Sequence, residues 1–220
     1  MAQNRANYEM DADQINWLEA YQDQDHLNYI AASMIKFGAE RFKGANIIKG
    51  IHHLEAIHRH RVMGIISEAT TKKELFPYIF DWVIDDIRIC IFFENFLKAV
   101  LLHMGVIIHR FDRNTPKGKQ LDKAQWKSPL SVSCIPDNNI TTELRHTTLE
   151  MGLLLGDDYQ KVIGLRKDVL EIVKVINTRR NKLHLMTEVA GELSTATIND
   201  LKLLDGFVDL ALTGIQEDPR

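Results

Sequence analysis

The sequence predicts an all-α protein, an antiparallel helical bundle of about six helices with one long irregular excursion, on three observations. Apolar residues recur at three-to-four spacing through successive segments, and capping patterns stand ahead of several of them. Strand-like signals are confined to fragments such as SVSCI. The first helix spans about Gln14 to Lys43, carried by Ile15, Leu18, Leu27, Ile30, Met34 and Ile35, with Gly44 as its stop. The second spans about Asn46 to Ala69, with Ile47, Ile51, Leu54, Ile57 and Ile65 on its apolar face. Thr71 and Glu74 form a capping-box pattern ahead of a central helix reaching Phe111, whose true start Pro77 marks. Arg113 to Asn139 holds three of the five prolines and is read as the excursion. A short fourth helix follows from about Thr142 to Leu155, and Asp157 with Gln160 opens a fifth that runs to about Met186. Thr197 and Asp200 cap a sixth, ending near Gly214.

A chain of 220 residues with 45% hydrophobic and 26% charged residues can bury one sizeable core, so a single domain over 1–220 is expected. A net charge of −3 provides no global basic field, and binding to nucleic acid or anionic lipid must then use a local patch. Two cysteines, Cys90 and Cys134, are too few for a disulfide framework and fit a reducing cytoplasm. The most hydrophobic stretch, Ile79 to Ile108, is interrupted by Asp85, Asp86, Arg88, Glu94 and Lys98, so no membrane span is expected.

Late in the fifth helix stands Asn177-Thr178-Arg179-Arg180-Asn181-Lys182-Leu183-His184. It resembles the Arg-x(4 to 6)-His signature of HEPN domains. The central helix carries Phe93-Glu94-Asn95-Phe96-Leu97-Lys98-Ala99, which looks like the acidic-then-LKA stretch of the HEPN core. Together with Lys98 to Arg110 and the excursion, the resemblance covers roughly Trp82 to Ile215 and is of the phage-defence and abortive-infection kind. Residues 71–220 are then a HEPN-like core, and residues 1–70 are N-terminal helices that either complete the core or are appended to it.

The resemblance implies a metal-independent endoribonuclease, without a cofactor, acting on RNA at a homodimer interface and leaving a 2′,3′-cyclic phosphate. A toxin role with a cognate antitoxin protein as partner is implied by the same likeness. His184 would move protons and an arginine would hold phosphate oxygens. The family pattern carries over to Arg179. Residues four apart on a helix lie within about 40° of each other and residues five apart about 140°, so Arg180 and Asn181 face with His184, and Arg180 is the geometric substitute. Asn181 and Lys182 would assist at the phosphate, and Glu94 would orient the arginine or histidine. The same residues also suit a solvated cationic helix end, or a catalytically silent binding module.

Three further patterns stand beside it. Glu55 with His58 and Glu143 with His146 are Glu-x-x-His pairs of the type that di-metal bundles use, with Glu19, Glu40 and Glu94 as further carboxylates. Glu55 and Glu94, like Glu40 and Glu55, differ in depth along the predicted helices and Glu143 suits a helix cap, so a ferritin-like di-metal protein is the lesser alternative and no metal site is expected. In the run His52 to Arg61, His53, Ile57 and His60 share one helical face, and the basic run, with Arg59 and Arg61, is either an approach surface for RNA, a place to grip a metal, or an ordinary polar face. Lys117, Lys119, Lys123 and Lys127 surround Trp126, as basic residues surround aromatics in single-strand binders or in a plain solvated loop.

Overall fold

The computed structural model describes residues 19–43, 68–135, 140–183 and 198–216, with side chains undescribed at 43, 68–83, 140–141, 182–183, 198 and 215–216. Within them the chain is a helical bundle with one small two-stranded sheet.

A 3-10 turn at Ala20–Gln22 precedes helix α1 (Gln24–Lys43). The helix begins here because the Asp23 carboxylate accepts from the backbone N–H groups of Asp25 and His26 at 2.9 and 3.3 Å, satisfying donors that an α-helix leaves open. Helix α2 (Glu68–His103) follows. It starts ahead of Pro77, so that proline lies inside the helix rather than at its start. The expected second helix lies almost entirely outside the described residues.

The expected central helix continued to Phe111, and the structure corrects this. The chain leaves α2 through Gly105, whose φ of 68° is the left-handed region that glycine tolerates. Gly105 N–H donates to Leu102 O, and Val106 N–H donates to Leu101 O. The β-branched run Val106-Ile107-Ile108 then proceeds extended into strand β1 (His109–Phe111). Its antiparallel partner β2 (Leu144–Thr148) replaces the middle of the expected fourth helix. What remains of that helix is one turn on either side, α4 (Ile140–Glu143) and α5 (Met151–Leu154), after α3 (Pro116–Gln120) in the excursion.

The excursion is otherwise irregular, as expected, but it is pinned. Ile107 N–H donates to Leu130 O, and Val132 N–H donates to Gly105 O. The Asp112–Gly118 turn closes so tightly that a Cβ on Gly118 would fall 1.9 Å from Asp112 O. The buried Glu143 carboxylate accepts from Lys117 N–H at the start of α3. Glu143 therefore caps a neighbouring turn, and His146 lies on a strand rather than one helical turn from it.

The expected fifth helix is two helices, α6 (Asp157–Ile163) and α7 (Lys167–Leu183). Gly164, at φ 68°, donates its N–H to Gln160 O and ends the first. Helix α8 (Ile198–Gln216) matches the expected sixth.

Helix α2 is the axis of the core. It packs against α1, α7, α5 and α6, while α8 packs on α1 and α7. Helices α1 and α2 run antiparallel, because Gln24 reaches Leu102 O at one end and Gly38 lies against Phe92 further along. A Cβ at Gly38 would stand 3.1 Å from Phe92 Cα, so glycine permits that approach. Phe92 and Phe93 are fully buried, and Phe207 of α8 stacks on Phe93 and meets Phe96 edge-on.

Candidate functional site

A helix buried on nearly all sides should be apolar nearly all round, and α2 is not. Asp86, Cys90, Glu94 and Lys98 recur every fourth residue, a spacing that drifts only about 40° per step and lays them along one strip. Asp86, Cys90 and Lys98 are buried and Glu94 is half-buried. Facing this strip are Arg179 and Arg180 of α7, and Thr148 of β2.

The two adjacent arginines are held differently. Arg179 Nε and Nη2 donate to the two carboxylate oxygens of Asp86 in a bidentate pair, with side chains 13% and 3% exposed. Burial raises the Asp86 carboxyl above its ordinary value, and the hydrogen bonds and charge of Arg179 oppose the rise. Arg180 stands 3.9 Å from Glu94 Oε2, with a quarter of its side chain exposed. Glu94 is already engaged by Lys98, whose Nζ lies 2.6 Å from Glu94 Oε1 and also donates to Thr148 Oγ1 at 2.8 Å. One carboxylate thus serves two cations, so Asp86 and Arg179 balance while the Glu94 group carries one surplus positive charge at its exposed member.

Cys90 lies between these pairs. Burial pushes its thiol up to about 12, with Arg180 opposing, so it stays a protonated thiol and is no nucleophile. The buried Asn177 presents an Oδ1 with no hydrogen-bond partner among the described residues. Asn181 is exposed, and its Oδ1 accepts from Arg180 Nη2 at 3.3 Å.

The strip continues into the sheet through Thr148, whose register partner is His109. The buried Tyr21 hydroxyl lies 2.7 Å from His109 Nδ1 and accepts from Ile108 N–H at 3.0 Å. Tyr21 and His109 thus share one buried hydrogen bond, and the His109 tautomer decides which of the two donates. Burial, then Lys98 and His146, lower the His109 pKa to about 4, and burial raises that of Tyr21.

Of the residues singled out in the sequence, the structure brings Arg179, Arg180, Asn181 and Glu94 together. Helix α7 is continuous to Leu183, so Arg179 and Arg180 diverge to different carboxylates. Lys182 belongs to α7 but its side chain is not among those described. His184, His53, Arg59, His60 and Arg61 lie outside the described residues. Among the described residues no group of three or more His, Cys, Asp or Glu is arranged to hold a metal ion, and no helix is long and apolar enough to cross a membrane.

Sequence reasoning missed Asp86 as the partner of Arg179, and missed Lys98, Thr148 and Asn177. The available signal was the four-residue spacing of polar residues in the chain's most apolar helix. Comparison with known protein families, with curated proteins and with solved structures finds no match to this chain.

Proposed function

We propose that the chain is an RNA-cleaving protein of HEPN type, with Arg180 as the phosphate-holding guanidinium and Arg179 as its structural anchor. The observation that carries this reading is the unequal pairing of the two arginines. Arg179 is spent in a bidentate buried pair, whereas Arg180 shares Glu94 with Lys98 and keeps charge and exposure to offer a phosphate. Asn181, exposed and touching Arg180, would position the same phosphate.

RNA supplies its own nucleophile, the 2′-hydroxyl, so the protein need only move protons and stabilise charge on the phosphorane. His184, next in sequence to Leu183, is assigned the proton transfer, and the reaction as proposed uses no metal and leaves a 2′,3′-cyclic phosphate. Lys182 would add charge. Two copies would meet around the scissile phosphate; Ile87 and Ile91, one turn apart on α2 and 36% and 38% exposed, suit such a contact. A phage-defence or toxin role, with an antitoxin as restraint and the cytoplasm as its place, extends the same reading. The commitment of Arg179 to Asp86 also suits a catalytically silent binding module of the same type.

The test is cleavage of a mixed RNA substrate in excess EDTA by the wild-type protein and by His184→Ala, after both are shown to fold alike. EDTA-resistant cutting that disappears in the variant and leaves cyclic-phosphate ends is the expected result. Equal cutting by both proteins, or none by either, would replace the ribonuclease with the binding module.

A further inference from the structure

Beside the β1–β2 sheet, and separate from Arg180, the excursion folds back to enclose a groove of about 860 Å³. Five cationic side chains line it, Arg110, Arg113, Lys123, Lys127 and Arg145, against a single carboxylate, Glu150. With Asp112, which pairs with Arg145 from just outside the lining, counted as well, three net positive charges converge on one concavity in a chain whose formal charge is −3. His109 also lines the groove but is held neutral and adds no charge at pH 7.

The cations differ in commitment. Arg110 is paired with Glu150 at 2.8 Å and Arg145 with Asp112 at 3.2 Å, both half-exposed pairs that water already weakens. Lys123 and Lys127 are exposed and have no ion pair among the described residues. An anion entering here would meet two lysines that no described carboxylate pairs.

The groove also has a planar element. The guanidinium of Arg113 lies over the Trp126 ring, 5.3 Å from its centroid. The indole is fixed from below, because Trp126 Nε1 donates to Leu121 O at 3.1 Å. The exposed Arg113 guanidinium thus sits over a hydrogen-bonded aromatic ring, a pair that together suits a nucleobase. Leu130 and Leu153 supply apolar floor, and Tyr159, whose hydroxyl donates to Ser128 O at 3.3 Å, fixes the wall opposite.

We propose that this groove binds a nucleotide unit, its base stacked on the Arg113–Trp126 platform and its phosphate between Lys123, Lys127 and Arg145. A volume of this size is typical of small-ligand sites and accommodates one nucleotide with room for its neighbours. An acidic peptide would use the charge and leave the platform idle. The inference rests on the groove alone and stands whether or not the chain cuts RNA.

The experiment is fluorescence anisotropy of the full chain with a labelled eight-nucleotide single strand carrying 2′-O-methyl sugars, which 2′-hydroxyl chemistry cannot cut. Competitors are AMP, UMP, inorganic phosphate and oligoglutamate. The expected result is saturable binding, weakening as salt rises, and reduced about tenfold or more in Arg113→Ala/Lys127→Ala, but unchanged in the control Lys36→Ala, an exposed lysine on α1 away from the groove. Circular dichroism melts confirm that all three proteins fold. Displacement by AMP or UMP would assign the groove to a single nucleotide, and a strand that resists them would assign it to several consecutive ones. Absence of saturable binding, equal loss in the control, or displacement as effective by phosphate or oligoglutamate as by AMP would overturn the proposal.

Discussion

The strip along α2 and the groove beside the sheet both concentrate charge, and they treat it in opposite ways. In the strip, Asp86, Arg179, Glu94, Lys98 and Thr148 act as one another's solvent, so the charges are buried and specified, and only Arg180 has any to spare. In the groove Arg110 and Arg145 are held only in half-exposed pairs, and Lys123 and Lys127 have no ion pair among the described residues. Removing a member should therefore be costly for folding in the first region and nearly silent in the second. Function is expected where charge is left over, at Arg180 and across the groove, rather than where it is best paired.

The sharpest way to break this contrast is Asp86→Ala. It leaves Arg179 buried without a counter-charge and should cost roughly 3–5 kcal/mol in urea unfolding, whereas Asp86→Leu/Arg179→Met, which removes both charges, should recover most of that loss. A cost below about 1 kcal/mol for Asp86→Ala would show that Arg179 finds water or another partner.

Acid probes the point where the two regions meet. His109 has a folded pKa of about 4 against an ordinary 6.5, so the unfolded chain takes up its proton first. Its contribution to stability is fully present above pH 6.5 and is lost as pH falls from 6.5 towards 4, by up to roughly 3 kcal/mol. In His109→Asn, which keeps an acceptor for the Tyr21 hydroxyl, stability measured by denaturant at pH 7 and pH 4.5 should differ less than in wild type. An unchanged acid limb would mean that His109 is not the group responsible. Tyr21→Phe should cost about 1–3 kcal/mol at pH 7, because Ile108 N–H and His109 Nδ1 both lose a buried partner. At the other extreme, Lys123→Ala/Lys127→Ala should leave stability within about 0.5 kcal/mol, since both side chains are exposed.

Much of this architecture is legible in the sequence where periodicity and punctuation agree. The last helix, with Asp200 near its start, lies where the sequence placed it, and the described part of the excursion is irregular apart from short helical turns such as the one Pro116 opens. The errors have specific causes. Helical spacing runs on past His103 through Val106, Ile107 and Ile108, but the left-handed turn at Gly105 hands those β-branched residues to an extended strand. Gly164 likewise splits a stretch whose apolar pattern reads as continuous.

The site was half legible. The motif located Arg179, Arg180 and Asn181, yet no spacing rule reveals that Asp86, 93 residues away, takes Arg179 and leaves Arg180 to the shared Glu94. Asp86 and Lys98 counted in the sequence as charges too costly for a membrane. In the fold both are buried and paired, which only the packing of α7 and β2 against α2 could disclose.

The division of labour between the adjacent arginines is tested most directly by assaying EDTA-resistant RNA cleavage and thermal stability together for wild type, Arg179→Ala and Arg180→Ala. The expected result is an Arg180→Ala protein that melts within a few degrees of wild type but no longer cuts, and an Arg179→Ala protein that is strongly destabilised. An Arg180→Ala protein that folds and cuts at the wild-type rate would contradict the assignment of Arg180 to the phosphate.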